Sequence, residues 1–365
     1  MIRTEALQLN MGPQHPSTHG VFRFVLDLDG EIVVNARPDI GYLHRGVEKL
    51  AEKRTYVQFV TLTDRTDYLA SMLQNQVYAQ AVEKLMSIDV PERAEFIRVI
   101  MMELNRIASH LVFVGTFGLD LGASTPFIYC FREREDIMDI FEAVCGARLT
   151  YSYIRPGGVS RDLPAGLADK IRAFLKKMPA RLDEIDDLLS KNEIFIVRSR
   201  DVGVISGEDA VDYAMSGPNL RGSGVAFDVR KDHPYSVYDR LQFDVVMQPA
   251  GDCLSRYLVR NREIRESLKL VEQALDMLPE GDYTAKVPRA LKPPAGEVYT
   301  RIESARGDLG VYLISDGSVN PYRLHWRPPS FISLAAVGQM VKGWKIADAV
   351  AILGSLDIVL GEVDR

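Results

Sequence analysis

Two histidines stand four residues apart in Gly12-Pro13-Gln14-His15-Pro16-Ser17-Thr18-His19-Gly20, among residues that favour turns. Prolines and glycines fix the backbone of such a loop and let His15, Thr18 and His19 project from it. An imidazole that titrates near neutrality gives a proton to a reacting oxygen and takes one back. The loop also reads as a polar turn with hydrogen-bonded histidines. A metal site needs three or four ligands, and no nearby cysteine or acid completes the set.

A second concentration of polar chemistry is Thr63-Asp64-Arg65-Thr66-Asp67-Tyr68, inside a strongly apolar helical region. Helix interiors rarely carry consecutive polar residues on every face unless these are paired or line a cavity, and a tyrosine hydroxyl there can donate to a carbonyl oxygen. A helix break at the surface is the alternative. Asp120, in Gly118-Leu119-Asp120-Leu121-Gly122-Ala123, is a carboxylate between apolar residues just past an expected helix end. It can orient an imidazole and raise its basicity, or cap the helix that follows. In Gly41-Tyr42-Leu43-His44-Arg45-Gly46-Val47-Glu48-Lys49, Arg45 and Glu48 are spaced to pair on one helical face.

These groups need elements to hold them. Alternation from Val21 to Ala36, broken at Asp29-Gly30, predicts a hairpin. Helical spacing predicts two helices between about Val47 and Met86, and another from Pro91-Glu92 to about Val114, stopped by Gly115 and Gly118. Further helices are expected over about Phe127–Val144, Pro164–Ser190 and Cys253–Met277. Ser206 to Pro249 reads as loops with one short helix around Asp209–Met215. Strands are expected at Glu297–Ile302, Gly310–Ser315 and Tyr322–Trp326. The fold class is therefore α+β and mainly helical: a central helical bundle with a small N-terminal antiparallel sheet and a C-terminal β element. The expected division is 1–45 as a β-rich segment with the histidine loop, 46–285 as the bundle and 286–365 as a β/α extension, in one cooperative unit.

The bulk properties exclude several classes. At 365 residues and 47% hydrophobic the chain buries a large core, and a net charge of −6 without a lysine/arginine block excludes a nucleic-acid surface. Three scattered cysteines, Cys130, Cys145 and Cys253, form no disulfide scaffold and no CxxC pair. The N-terminus has no signal-peptide pattern, and no run of about 18 apolar residues predicts a membrane span. Membrane association is expected through a partner. No GxGxxG, GxxxxGK[ST] or GxSxG pattern is present.

The pieces together closely resemble the quinone-site, 49-kDa-type subunit of respiratory complex I. The resemblance is carried by GPQHPSTHG at 12–20, GYLHRGVEK at 41–49, DRTDY at 64–68, ELNRIASHL at 103–111, GLDLGASTPF at 118–127, RPGGVSRDLP at 155–164, SGPNLRGSGVAFDVR at 216–230 and ILGSLDIVLGEVDR at 352–365. It spans the chain in the family's order. It implies kinship with nickel–iron hydrogenase large subunits, whose paired cysteines correspond here to Thr63-Asp64-Arg65-Thr66 and Leu356-Asp357-Ile358-Val359, so a thiolate-held nickel has no ligands and no metal is expected.

The resemblance further implies His19 and Tyr68 as donors to a quinone headgroup and Asp120 as partner of that histidine. His15 and Thr18 would add to the quinone pocket, with His44, Arg45, Arg65 and Asp67 in support. The implied activity is that of a proton-pumping NADH:quinone oxidoreductase, in which this chain is inactive alone and quinone is substrate. Electrons would come from an iron–sulfur cluster in a small neighbouring subunit, NADH would bind elsewhere in the complex, and a membrane subunit would meet the quinone entrance. The expected location is peripheral, on the cytoplasmic side of the membrane. Two alternatives are a scaffold subunit of a ferredoxin-driven relative and the large subunit of a membrane-bound hydrogenase, the latter disfavoured by the missing CxxC pairs.

Overall fold

In the computed structural model, which describes residues 7–14 and 20–365, the chain is mainly helical with small antiparallel sheets near both ends. The N-terminal sheet is a meander of β1 (Leu7–Met11), β2 (Arg23–Asp29) and β3 (Ile32–Asp39). The hairpin at Gly30 is the one the alternation predicts, and β1 is an addition to it. Phe22, Phe24, Leu26 and Leu28 turn one face of the sheet into the core.

Three helices, not two, follow: α1 (Val47–Ala51), α2 (Tyr56–Thr63) and α3 (Ser71–Met86). Helical periodicity hides the first break, which is set by Thr55: its side chain accepts from the Gln58 amide while the Gln58 side chain accepts from the Thr55 amide, a capping box that starts α2 afresh. The Arg45–Glu48 pair does not form, because Arg45 lies ahead of the Gly46 that begins α1. Glu48 instead meets Arg323 at 2.9 Å and His325 at 3.2 Å.

The central element is α4 (Glu92–Asp120), packed between α3, α5 (Ser124–Cys145) and, further along, α11 (Cys253–Asp276). It runs straight through the expected stop. Gly115 stays helical because α5 crosses there: a Cβ on it would lie 3.1 Å from the Phe127 Cα and 3.3 Å from the Cys130 Cβ. Gly115→Val should therefore force the two helices apart and cost about 1–3 kcal/mol, read as a lower denaturation temperature of the assembled protein.

Beyond α5 lie the short hairpin β4 (Ile154–Arg155) and β5 (Gly158–Val159), then α6 (Leu167–Ile185), whose last turn widens into a π-turn at Asp186–Ser190. The polar stretch expected to hold one short helix holds three, α8 (Gly207–Asp212), α9 (Gly217–Arg221) and α10 (Val229–Asp232), and α7 (Glu193–Ser199) precedes them. Each is too short to show a period, and Asn192, Ser206 and Asp228 cap three of the four.

The second sheet, β6 (Gly296–Glu303), β7 (Asp308–Ser315) and β8 (Arg323–Arg327), lies on α3, where Thr300 donates to the Val77 carbonyl. Its β6–β7 turn, Ser304 to Gly307, drives Arg306 into the middle of the bundle, where it is 1% exposed. The chain then forms α12 (Pro329–Ala335), α13 (Val337–Val341), α14 (Ile346–Ser355) and α15 (Leu360–Asp364). Helix α14 touches both β3 and α4.

Candidate functional site

The connector between α2 and α3 is a helix break, but a buried one. Thr63, Asp64, Thr66 and Asp67 are all enclosed, and only Arg65 is exposed. All but one of their side chains' polar groups find partners: Asp64 accepts from the Ser152 amide at 3.0 Å and from its hydroxyl at 2.6 Å, and Thr66 donates to Gln74, while Asp67 Oδ2 has no hydrogen-bond partner among the described residues. Asp67 Oδ1 accepts from the amides of Leu69 and Ala70, which leads the chain into α3.

Tyr68, next to it, is half-buried, and its hydroxyl makes no hydrogen bond to any described residue. Burial and the neighbouring Asp67 carboxylate push its pKa above the usual tyrosine value, against the pull of Arg306 and Arg45. It stays a proton-bearing phenol through the neutral range. Arg45 reaches the same place by donating to the Arg65 carbonyl at 2.5 Å. Arg45, Arg65, Asp67 and Tyr68 are thus gathered at one point. His44 serves a different contact, with Nδ1 2.6 Å from the Asp364 carbonyl oxygen, while the Asp364 carboxylate accepts from the Gly41 and Leu43 amides.

Arg306 ties this point to the C-terminal run. Its guanidinium lies 3.4 Å from Asp67 Oδ2 and 3.4 Å from Asp357 Oδ1, and it also donates to the Ser109 hydroxyl of α4. Asp357 in turn lies 3.4 Å from Arg260 on α11. Asp67 of the connector and Asp357 of the C-terminal run therefore face each other across Arg306. Sequence reasoning alone misses Arg260, Arg306, Asp357 and Glu362. A charged side chain inside an apolar run, the signal that singles out residues 63–68, is equally present in Leu353-Gly354-Ser355-Leu356-Asp357-Ile358-Val359-Leu360-Gly361-Glu362.

Asp120 is the last residue of α4, not a residue beyond its end. It does not cap the next helix, whose N-cap Ala123 has no side-chain bond. The carboxylate faces α14, where a Cβ on Gly354 would come 2.9 Å from its Oδ2, and burial raises its pKa to about 6. Asn105 fixes the Tyr68 end by bonding the Met72 amide and the Leu69 carbonyl, both at 3.0 Å. Asp120 lies fifteen residues further along α4, about 22 Å up the axis at 1.5 Å per residue. The expected positions His15, Thr18 and His19 lie outside the described residues. Among the described residues no group of three His, Cys, Asp or Glu side chains is arranged to hold a metal ion, and no helix is long and apolar enough to cross a membrane.

The family model of the respiratory-chain NADH dehydrogenase 49 Kd subunit matches residues 120–293 and 286–365. Proteins named as the D-type subunit of NADH-quinone oxidoreductase match throughout: that of Desulforamulus reducens is 55% identical over 363 residues, covering 100% of this chain and 99% of the relative. That of Carboxydothermus hydrogenoformans is 52% identical over 364 residues, and that of Bacillus anthracis 54% over 365, each covering 100% of both chains. The chain belongs to the 49-kDa, or D-type, subunit family of NADH-quinone oxidoreductase. As a member it is one part of a multisubunit NADH:quinone oxidoreductase, complex I, and its partners are other subunits of that complex. In this 49-kDa-type subunit the buried acids and arginines form an internal frame, and Tyr68 stands at its edge with a hydroxyl free to donate outside the described residues.

Proposed function

We propose that this chain forms the quinone-reduction site of its complex, at the interface with the small subunit that carries the terminal iron–sulfur cluster. The carrying observation is the Tyr68 hydroxyl: half-buried, protonated, flanked by Arg45, Arg306 and Asp67, and without a hydrogen-bond partner among the described residues. Reducing a quinone adds two electrons and two protons, and the charge that develops on its oxygens needs donors already in place. Tyr68 supplies one such donor.

His19 supplies the other. Asp120 supports this pairing, since its carboxyl titrates near 6 and α14, against which it packs, also touches the N-terminal sheet that follows the histidine loop. A carboxylate facing an imidazole orients the ring and stabilises its protonated form, so Asp120 holds His19 ready to donate and to recharge. His15 and Thr18 shape the same pocket. Arg45 and Arg65 brace the connector that carries Tyr68, and His44 braces the C-terminal residues beside it. The change of charge on reduction is relayed to proton translocation by membrane subunits. In this reading the protein is held peripherally on the cytoplasmic side of the membrane by its partners, and electrons enter from NADH through them.

The test is His19→Ala in membranes containing the whole complex. Quinone reductase turnover is expected to fall by about 10²-fold, while electron paramagnetic resonance shows the iron–sulfur clusters unchanged. Parental turnover would mean that His19 only shapes the loop.

A further inference from the structure

Glu362 is a fully buried carboxylate near Tyr68 that has no cation of its own among the described residues. It is 0% exposed and takes part in no ion pair with them, although Arg306 stands close enough to act on it. Its hydrogen-bond partners are neutral. Oε1 accepts from the Gln74 amide of α3 at 3.3 Å, and Oε2 faces the hydroxyl and the amide of Ser330 on α12. Gln74 cannot turn round, because its own oxygen accepts from the Trp326 indole and the Thr66 hydroxyl, each at 3.0 Å.

This setting suits both protonation states. With Glu362 ionised, Ser330 donates to Oε2. With Glu362 protonated, the proton sits on Oε2 and the Ser330 oxygen accepts it, while Gln74 keeps its bond to Oε1. Between them only the Ser330 hydroxyl hydrogen has to turn.

The second observation is an orphaned acceptor on the Tyr68 side. Asp67 is fully buried, and its Oδ2 has no hydrogen-bond partner among the described residues; Arg306 approaches it only to 3.4 Å. Residues 361–362 lie directly on this connector, where a Cβ on Gly361 would stand 2.7 Å from the Thr66 carbonyl oxygen and 3.4 Å from Arg45 Nη2. The charged or titratable groups facing Glu362 are therefore Asp67 and Arg306, with Arg45 at its neighbour Gly361 and Asp357 behind Arg306.

We propose that Glu362 stores the proton that recharges Tyr68, passing it through Asp67 after the phenol has given its own proton to the reduced quinone oxygen. The inference rests on Tyr68 being the donor. In the step, Tyr68 O–H breaks toward the quinone oxygen and leaves a phenolate. The Glu362 proton crosses to that phenolate, the carboxylate remains, and solvent later returns one proton to it. No electron moves within this chain; electrons reach the quinone from the iron–sulfur cluster of the neighbouring protein. Burial first, and then the Asp67 charge, raise Glu362 to about 7, with Ser330 and Arg306 opposing. A proton held there passes downhill to a phenolate whose pKa is above 10.

The direction with pH follows. Below about 7 the store is full, and as pH rises through that value it empties, so turnover should fall on the alkaline side. In the assembled complex, Glu362→Gln keeps the shape and cannot hold a proton. It should turn over about tenfold more slowly near pH 6 and lose the limb centred near 7. An unchanged rate and profile would overturn the proposal.

If Glu362→Gln does not assemble, Ser330→Ala decides. Losing the hydroxyl that favours the anion raises the Glu362 pKa, so the limb should move to higher pH; a limb that stays in place overturns the proposal. Tyr68→Phe separates the two readings. A Tyr68→Phe enzyme at the parental rate overturns both, whereas loss in Tyr68→Phe with an unaltered Glu362→Gln profile overturns only the proton store.

Discussion

Tyr68→Phe should lower quinone reductase turnover of the assembled complex by at least about 10²-fold, the lower end of what a positioned proton donor contributes. The substitution removes one oxygen and keeps the ring. The surrounding frame does not depend on that oxygen: Asp67 Oδ1 keeps the Leu69 and Ala70 amides, Arg306 keeps Asp357 and Ser109, and Arg45 keeps the Arg65 carbonyl. Assembly and the electron paramagnetic resonance signals of the clusters should therefore match the parent. Because the hydroxyl matters most as charge develops on the quinone oxygen, the loss should fall on kcat with KM little changed. Burial and Asp67 hold the Tyr68 pKa above its ordinary value, so the parent carries its phenolic proton across the neutral range, and with no phenol to recharge what activity remains should lose the limb near pH 7. Parental turnover would remove Tyr68 from the chemistry.

The elements legible in the sequence are those whose signal is local. The β2–β3 hairpin shows in alternation around Gly30, α11 in twenty-four residues of unbroken helical spacing, and β6 to β8 in three short apolar runs after Pro293-Pro294. Gly115 and Gly118 mislead because a glycine in a sequence reads as a stop. Here the reason for a missing side chain is tertiary, the crossing of α5 and the approach of Leu189 to Gly118.

The polar run at 63–68 is abnormal for a helix interior, and that much is legible, yet nothing in its spacing could name Arg306, which arrives from a hairpin more than two hundred residues later. Arg221 is another case: it reaches Glu263 at 2.7 Å and Glu303 at 2.8 Å, partners far away in sequence. Spacing shows neighbours on one element. Partners across elements emerge only from the fold, which is why the motifs point to Tyr68 and its near neighbours Arg45, Arg65 and Asp67 while Arg306, Asp357 and Glu362 stay unread.

Glu103→Gln should destabilise the protein by about 3–5 kcal/mol, the cost of breaking a buried ion pair from one side. Glu103 is 0% exposed in the middle of α4 and holds four groups at once: Arg106 at 3.2 Å, Arg230 at 3.2 Å, the Tyr238 hydroxyl at 2.6 Å and the Ser267 hydroxyl at 2.7 Å. Burial alone would raise its pKa, but the two guanidiniums and the two hydroxyls outweigh burial and hold it at about 2. A glutamine there turns an N–H₂ toward guanidinium donors and leaves positive charge unbalanced. Arg230 retains Asp228, whereas Arg106 is left with only the Glu303 and Ser304 carbonyls. Those carbonyls begin the turn that carries Arg306, so the damage is expected to spread toward Tyr68. The sign with pH is set by the depressed pKa: the contribution is complete above the unfolded value of about 4.5 and is lost as pH falls toward 2. Thermal denaturation of the purified complex should accordingly separate Glu103→Gln from the parent widely at neutral pH and progressively less below about pH 4; equal denaturation temperatures at neutral pH would show that the Glu303 and Ser304 carbonyls suffice for Arg106 and Asp228 for Arg230.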